Sequence, residues 1–290
     1  MAAPDVIVVG DVMLDVSVAA PALAAGGDVH GSVRMGAGGA GANAAVWAAR
    51  SGARVRLFGR VGGDDVPARV VREALEHRGV DARLSVDPEA GTGAMLVVSE
   101  AGERSMVSDP GANARVPPED IPAQLDAGCV LVSGYLLYRA GSEKSARAAL
   151  DRARAKRVAV DAASWPLLEA YGAERFVDAA SSADLVLANE REAEVLTGVR
   201  GNEAARRLGD AFPAAVLKLG PGGAVAVEAG ELLEVGPVAS EAIDATGAGD
   251  AFAGALMAAL AAGAPLEEAA VRACAAGAEA VTHEGAWPQP

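Results

Sequence analysis

Aromatic side chains make up only 3% of this 290-residue chain, cysteine occurs twice, histidine three times, and 25 basic residues face 39 acidic ones. Each shortage removes a class of function. Cys129, in the apolar run CVLVSG, and Cys274, in a helical pattern, have neither metal-ligand spacing nor a disulfide framework, and both read as reduced packing residues. The net charge of −14 argues against nucleic acid as a partner, because that binding rests on clustered Lys and Arg facing phosphates. No apolar run reaches the roughly 18 residues a membrane span needs, and MAAPDVIVVGDVMLD enters a strand-like segment without a basic leader. The expectation is a cytoplasmic protein with no membrane partner. A phosphate-bearing small ligand stays open, but in so acidic a chain its positive surroundings must come from oriented amides, a helix N-terminus or a bound metal.

What is present is a 51% hydrophobic composition, enough for a substantial core at this length. Short β-branched runs alternate with Ala-rich amphipathic stretches: VIVVG (Val6–Gly10), a helix from Ala42 to Ser51, VRLFGRVG (Val55–Gly62), a helix from about Asp65 to Arg78, VLVSG (Val130–Gly134), a helix from Glu143 to Ala155, RVAVDA (Arg157–Ala162), DLVLANE (Asp184–Glu190), a helix through Leu196, and AVLKLG (Ala215–Gly220). Strands separated by helix-length patterns imply an α/β fold with a doubly wound, mostly parallel sheet and ligands at the carboxyl ends of its strands. Two segments break the rhythm. Residues 16–35 read as irregular and Gly-rich, while 92–100 and 103–109 read as a hairpin joined around Ala101-Gly102. Together they are expected to form a small β-appendage on one continuous domain spanning 1–290, with no linker or internal repeat.

The glycine-rich stretch DATGAGDAFAGAL, Asp244 to Leu256, runs into an apolar helix. Small residues at Thr246-Gly247-Ala248-Gly249 let the backbone curl with its amides inward, a nest suited to the charge that builds on a phosphoryl group. Asp250, at the same point, could accept a proton from an attacking hydroxyl. Helix capping by Asp250 is the structural alternative.

This stretch resembles the C-terminal signature D-T-x-G-A-G-D of the ribokinase-like, or PfkB-type, carbohydrate kinases, departing at Ala245. The resemblance implies a ribokinase-like fold with a small β-sheet lid, ATP and Mg2+ as cofactors, and a homodimer. It makes Asp250 the catalytic base, with the amides of Gly247, Ala248 and Gly249 as the anion hole. GGAGANAAVWAARSGARVRLFGRVG, Gly38 to Gly62, is similar to the family's N-terminal signature. There Gly38 and Gly39 allow close approach of the main chain and Asn43 hydrogen-bonds sugar hydroxyls. In GDVMLD, Asp15 is implied as a bidentate sugar ligand, whereas Asp11 reads as structural. Asn189-x-x-Glu192 matches the family's N-x-x-E motif, which implies Asn189 near the nucleotide and Glu192 holding Mg2+ through water. An Asn–Glu helix cap is the coexisting alternative.

By the same resemblance Gly220 and Gly223 lie beneath the nucleotide and Lys218 reaches an ATP phosphate, with an exposed lysine as the alternative. Ala278, Val281 and Gly285 line an adenine slot. Some members bind a monovalent cation at the positions of Asp244 and Thr246, which leaves K+ open here. His283 reads as a surface residue. Residues 36–41 also satisfy G-x-G-x-x-G, yet they lie far beyond the end of the first strand and no acid follows until Asp64, which excludes a dinucleotide fold.

The resemblance gives out where the acceptor is chosen. Ala40 replaces a lysine usual in ribokinase proper, VDAASW (Val160–Trp165) lacks the Asn and Arg of several relatives, and Tyr135 and Tyr138 stand at other acceptor positions. The reading is ATP-dependent phosphoryl transfer to a primary hydroxyl of a small sugar. A nucleoside kinase, needing an aromatic-lined pocket, and a non-catalytic sugar- or nucleotide-binding regulator are the rivals.

Overall fold

The structure, a computed structural model, describes residues 3–21, 26–100 and 103–288. In chain order its elements begin with β1 (Val6–Val9), β2 (Met13–Ala20), β3 (Ser32–Gly38), α1 (Ala40–Arg50), β4 (Val55–Val61), α2 (Val66–His77), β5 (Asp81–Val86), β6 (Gly93–Glu100) and β7 (Glu103–Asp109). The middle of the chain adds β8 (Leu125–Asp126), β9 (Cys129–Ser133), α3 (Glu143–Arg152), β10 (Ala153–Arg154), β11 (Arg157–Asp161), α4 (Trp165–Tyr171), α5 (Ala173–Ala179), β12 (Leu185–Asn189), α6 (Glu190–Thr197) and α7 (Gly201–Ala211). Last come β13 (Ala214–Lys218), β14 (Ala224–Glu228), β15 (Glu231–Val235), α8 (Ala248–Ala261) and α9 (Leu266–Ala280).

Nine strands form one sheet in the order β15-β14-β13-β12-β11-β9-β1-β4-β5. Pairing is parallel from β13 through β5 and antiparallel only at the β14–β15 edge. The buried strands are near-continuous apolar runs because both faces are covered. Side chains alternate between two cores: Val6 and Val8 of β1 join one cluster, Ile7 and Val9 the other. Cys129 and Cys274 are both free and buried among these apolar residues, and burial pushes the Cys129 thiol up to about 11.

A separate four-stranded sheet has the order β3-β2-β6-β7. The expected hairpin is β6–β7, with Glu100 opposite Glu103; its turn at Ala101-Gly102, like residues 22–25 of the other segment, lies outside the described residues. Most of the stretch read as irregular is in fact strand. Residues 13–20 and 32–38 pair as β2 and β3, and β2 is bonded on its other side to β6. Ser17 and Ala19 are exposed and Val16 and Val18 only half-buried, so ladder hydrogen bonds rather than core burial hold β2, and the period-2 signal is weak.

Helix α8 is buried over ten consecutive residues, Ala251–Leu260, and lies against α1 and α9. Alanine and glycine let these backbones approach closely. A Cβ on Gly254 would fall 2.3 Å from the Ala44 carbonyl oxygen and 2.8 Å from the Ala48 nitrogen. Gly254→Ala is therefore expected to lower stability by about 1–3 kcal/mol, read as a drop in the urea midpoint. Gly63→Ala, where a Cβ would meet nothing within 4 Å, serves as the near-neutral control.

Candidate active site

The carboxyl ends of β1, β9, β11, β12 and β13 lead into Asp11, Ser133, Asp161, Asn189 and Lys218, and the first turns of α1 and α8 point to the same place. Glycine makes the convergence possible: a Cβ on Gly10 would lie 2.7 Å from the Cα of Gly41. Asp11 is buried and fully engaged, accepting from the Ala40 amide at 3.0 Å and the Ser133 hydroxyl at 3.1 Å. Gly39 has φ 93°, and a side chain there would strike the Asp11 carbonyl. A Cβ on Gly38 would overlap the Asp15 carboxylate, so a residue larger than glycine would displace that acid. Burial, then the neighbouring Asp11 charge, raises the Asp15 carboxyl to about 7.

Asp250 occupies the first turn of α8 and is half-buried. Its Oδ2 accepts from the Asn43 amide nitrogen at 2.7 Å, a contact between residues 207 positions apart. Burial pushes this carboxyl up to about 7; the Asn43 bond opposes that, Asp161 and Asp11 add to it, and the Lys218 ammonium opposes it. A carboxyl poised there can take a proton near neutral pH. Asn43 itself is buried, and its Oδ1 accepts from the Trp287 indole at 2.8 Å.

Lys218 is not the exposed residue that one alternative allowed. Its ammonium donates to both Asp161 oxygens, at 3.0 and 2.8 Å, and its side chain is 13% exposed. Burial works against the charge, but Asp161, Glu192 and Asp250 outweigh it and hold the pKa above that of free lysine. A side chain on Gly249 would begin 3.6 Å from this ammonium. Glu192 is buried; Asn189 donates to it from its backbone at 2.8 Å and from its side chain at 2.7 Å, while the Asn189 oxygen caps α6. The capping box is thus real. Burial raises the Glu192 pKa, against the pull of Lys218.

The turn before α8 is closed from behind and open in front. Gly247 has φ 76°, and a Cβ on it would lie 2.5 Å from the Ala286 side chain. Asp244 is buried and accepts from the Thr246 amide at 2.7 Å and the Gly285 amide at 3.0 Å, buckling this turn to the C-terminal loop. The Ala248 amide makes a turn bond to the Ala245 carbonyl at 3.3 Å. Those of Gly249 and Asp250, in the first turn, have no intrahelical acceptor, and Gly249 is exposed. These amides and Lys218 offer an anion the positive surroundings that the net charge denies it elsewhere.

Gly223, at φ 91°, is demanded by backbone contact, since a Cβ there would strike the Val235 carbonyl; Gly220, at φ 55°, faces open space. Ala278 and Val281 are half-buried at the end of α9, where the Val281 carbonyl accepts from the amides of Ile243 and Asp244. His283 is half-buried rather than on the surface: its ring nitrogen lies 2.8 Å from the Trp287 carbonyl oxygen, because the loop folds back over it. Tyr138 bonds the Ala162 carbonyl and packs on Tyr171 and Phe176, so it builds the core.

A cavity of about 920 Å³ lies between the four-stranded sheet and the C-terminal loop, with Asp15, Arg34, Asp244, Thr246 and Trp287 on its wall. Asp250 opens instead on a narrow space of about 20 Å³ shared with Ser133, Asp161 and Ala163. Two residues of this constellation escaped the sequence reading. Asp161 carried a signal, an acid at a strand's carboxyl end, as Asp11 is after β1. Trp287 carried none beyond being one of three tryptophans in an aromatic-poor chain.

The family profile described as pfkB family carbohydrate kinase matches residues 3–289. A ribokinase of Haemophilus influenzae is 30% identical over 263 residues, covering 86% of this chain and 82% of that protein. An aminoimidazole riboside kinase of Salmonella typhimurium is 32% identical over 273 residues, covering 86% and 83%. The structure of Arabidopsis thaliana ribokinase complexed with ribose and ATP superposes with a TM-score of 0.78 at 25% identity, covering 99% of this chain and 96% of that one.

The raised carboxyls carry a stability consequence. From 3.8 up to about 7 the folded state holds protons on Asp15 and Asp250 that the unfolded chain releases, so both groups make stability fall as pH rises through that window. Asp250→Asn is expected to flatten this fall and to melt above wild type at pH 8. A variant melting below wild type at pH 8 would contradict it.

Proposed function

Since this chain belongs to the pfkB family of carbohydrate kinases, as an ATP-dependent kinase of ribokinase-like fold, we propose that it transfers the γ-phosphoryl group to a primary hydroxyl of a small sugar, with Asp250 as the base. The observation that supports this most is the meeting of three features at one point: a carboxyl held by Asn43, the open first turn of α8, and the Lys218 ammonium. Asp250 would take the hydroxyl proton as the oxygen attacks phosphorus. The first-turn amides around Gly247, Ala248 and Gly249, with Lys218, would take up the charge on the equatorial oxygens. Asp15 and Asn43, beside Gly38 and Gly39, would orient the acceptor. Gly220, Gly223, Asn189, Ala278 and Val281 would border the nucleotide.

Among the described residues no group of three His, Cys, Asp or Glu could hold a metal ion. Mg2+ bound with ATP would neutralise the β- and γ-phosphates. Glu192 would hold its water shell. Asp244 and Thr246 would meet a monovalent cation such as K+. The four-stranded sheet, as a lid on a single kinase domain, would exclude water that competes for the phosphoryl group. No described helix is long and apolar enough to cross a membrane; the location proposed for the enzyme is the cytoplasm.

Trp287 on the wall of so large a cavity is the observation favouring a nucleoside acceptor. ATP consumption with pentoses, hexoses, keto-sugar acids and nucleosides separates these readings. ATP binding with no acceptor-stimulated turnover would leave only the regulator. With the accepted compound, Asp250→Asn is expected to lower kcat roughly 10²–10⁴-fold while binding survives; near-normal turnover would remove Asp250 from the mechanism.

A homodimer through the lid fits the register of the four-stranded sheet. Met35, Val16, Leu96 and Val107 form one cross-strand row, in which Met35 is 71% and Val107 65% exposed. Met35→Lys combined with Val107→Lys is expected to shift the mass measured by light scattering from dimer to monomer. An unchanged dimer would place the interface elsewhere.

A further inference from the structure

We propose that Trp287 is a positioning residue for Asp250, acting through the side-chain amide of Asn43, so that the C-terminal loop sets the orientation of the carboxylate. That the carboxylate is a base rests on the phosphoryl-transfer reading above; that Trp287 orients it does not. An indole N–H can only donate. Because it meets Asn43 Oδ1 at 2.8 Å, the amide has one permitted orientation, with its NH₂ turned to Asp250 Oδ2 at 2.7 Å. Flipping the amide would set donor against donor at Trp287 and acceptor against carboxylate at Asp250. In a buried position neither mismatch is relieved by water. The carboxylate is therefore fixed by Oδ2, and among the described residues its Oδ1 has no hydrogen-bond donor, which leaves that oxygen to meet an incoming hydroxyl.

Trp287 is itself held from several sides. The Trp47 indole donates to the adjoining Ala286 carbonyl at 2.8 Å, the His283 ring lies 2.8 Å from the Trp287 carbonyl oxygen, and the Arg78 guanidinium sits 5.8 Å from the centre of the Trp287 ring. Gly285, two residues earlier, bonds Asp244 at the start of the α8 turn. The loop thus bonds the start of the stretch that carries Asp250 and reaches its end through Asn43. The other groups facing that carboxylate are Asp161, Asp11, Lys218 and Tyr135, and all stay in place when only the indole N–H is removed.

The test uses the full chain and needs no acceptor for its first arm. With ¹⁵N-labelled tryptophan, the wild-type Trp287 indole resonance, assigned by its disappearance in Trp287→Phe, is expected to titrate with the Asp250 carboxyl near pH 7 and to lose that titration in Asp250→Asn. In Trp287→Phe the carboxyl midpoint, read from its ¹³C resonance, is expected to rise by roughly 0.5 unit, because the freed amide donates to it less often. In the second arm, with whichever sugar or nucleoside the panel shows to be phosphorylated, Trp287→Phe is expected to lower kcat roughly 3–10-fold with the ATP KM in place. The same change should add nothing in an Asn43→Ala background. A flat indole resonance, an unmoved carboxyl midpoint or fully additive losses would overturn the proposal. If no acceptor is phosphorylated, the base reading fails, while the spectroscopic arm still decides whether Trp287 positions Asp250.

Discussion

The hydrogen bond between Asn43 and Asp250 joins the first turn of one helix to the first turn of another some 207 residues later, and the rest of the site is arranged around that contact. It exists because α1 and α8 lie almost backbone to backbone, which small residues permit: Gly254 of α8 sits against Ala44 and Ala48 of α1, while Gly41 of α1 packs on Gly10 at the end of β1. Close packing of small residues is thus the physical origin of the chemistry, since it carries two helix N-termini to the carboxyl edge of one parallel sheet.

The second constraint is charge. A chain with a net charge of −14 brings Asp11, Asp15, Asp161, Glu192 and Asp250 to that edge, the place where a nucleotide's phosphates would also have to lie. Three of these carboxyls, at Asp15, Glu192 and Asp250, respond by moving up, each chiefly because burial disfavours its ionised form. What opposes the negative field is local: the ammonium at Lys218, paired with Asp161, and the first-turn amides of α8. On the proposed reading, an approaching phosphate would give Lys218 an anion to exchange for its carboxylate partner. Until then Asp161 holds the lysine in place through both of its oxygens.

Much of this was legible in the residues. Alternating β and α periods gave the parallel sheet, and the glycine-acid turn at 244–250 was visible because a helix start, a nest and an acid coincide in a few residues. The strands β2 and β3 were not legible as strands, since over 15–20 and 32–37 their residues are exposed or only half-buried and leave little hydrophobic alternation to read. Lys218 was ambiguous because its surroundings are set by Asp161 and Glu192, 57 and 26 residues away, and no local pattern encodes such a partner. Trp287 was missed for the same reason: its partner lies 244 residues earlier.

In the proposed reaction the open first turn of α8 and the Lys218 ammonium together receive the transferring phosphoryl group beside Asp250. A crystal structure of the protein with ADP, aluminium fluoride and an accepted sugar or nucleoside tests it most directly. The fluoride ligands are expected within hydrogen-bond reach of the Gly249 and Asp250 amides, with Lys218 turned from Asp161 toward them and the acceptor oxygen against Asp250 Oδ1. Fluoride bound away from this turn, with the Lys218–Asp161 pair unchanged, would contradict it.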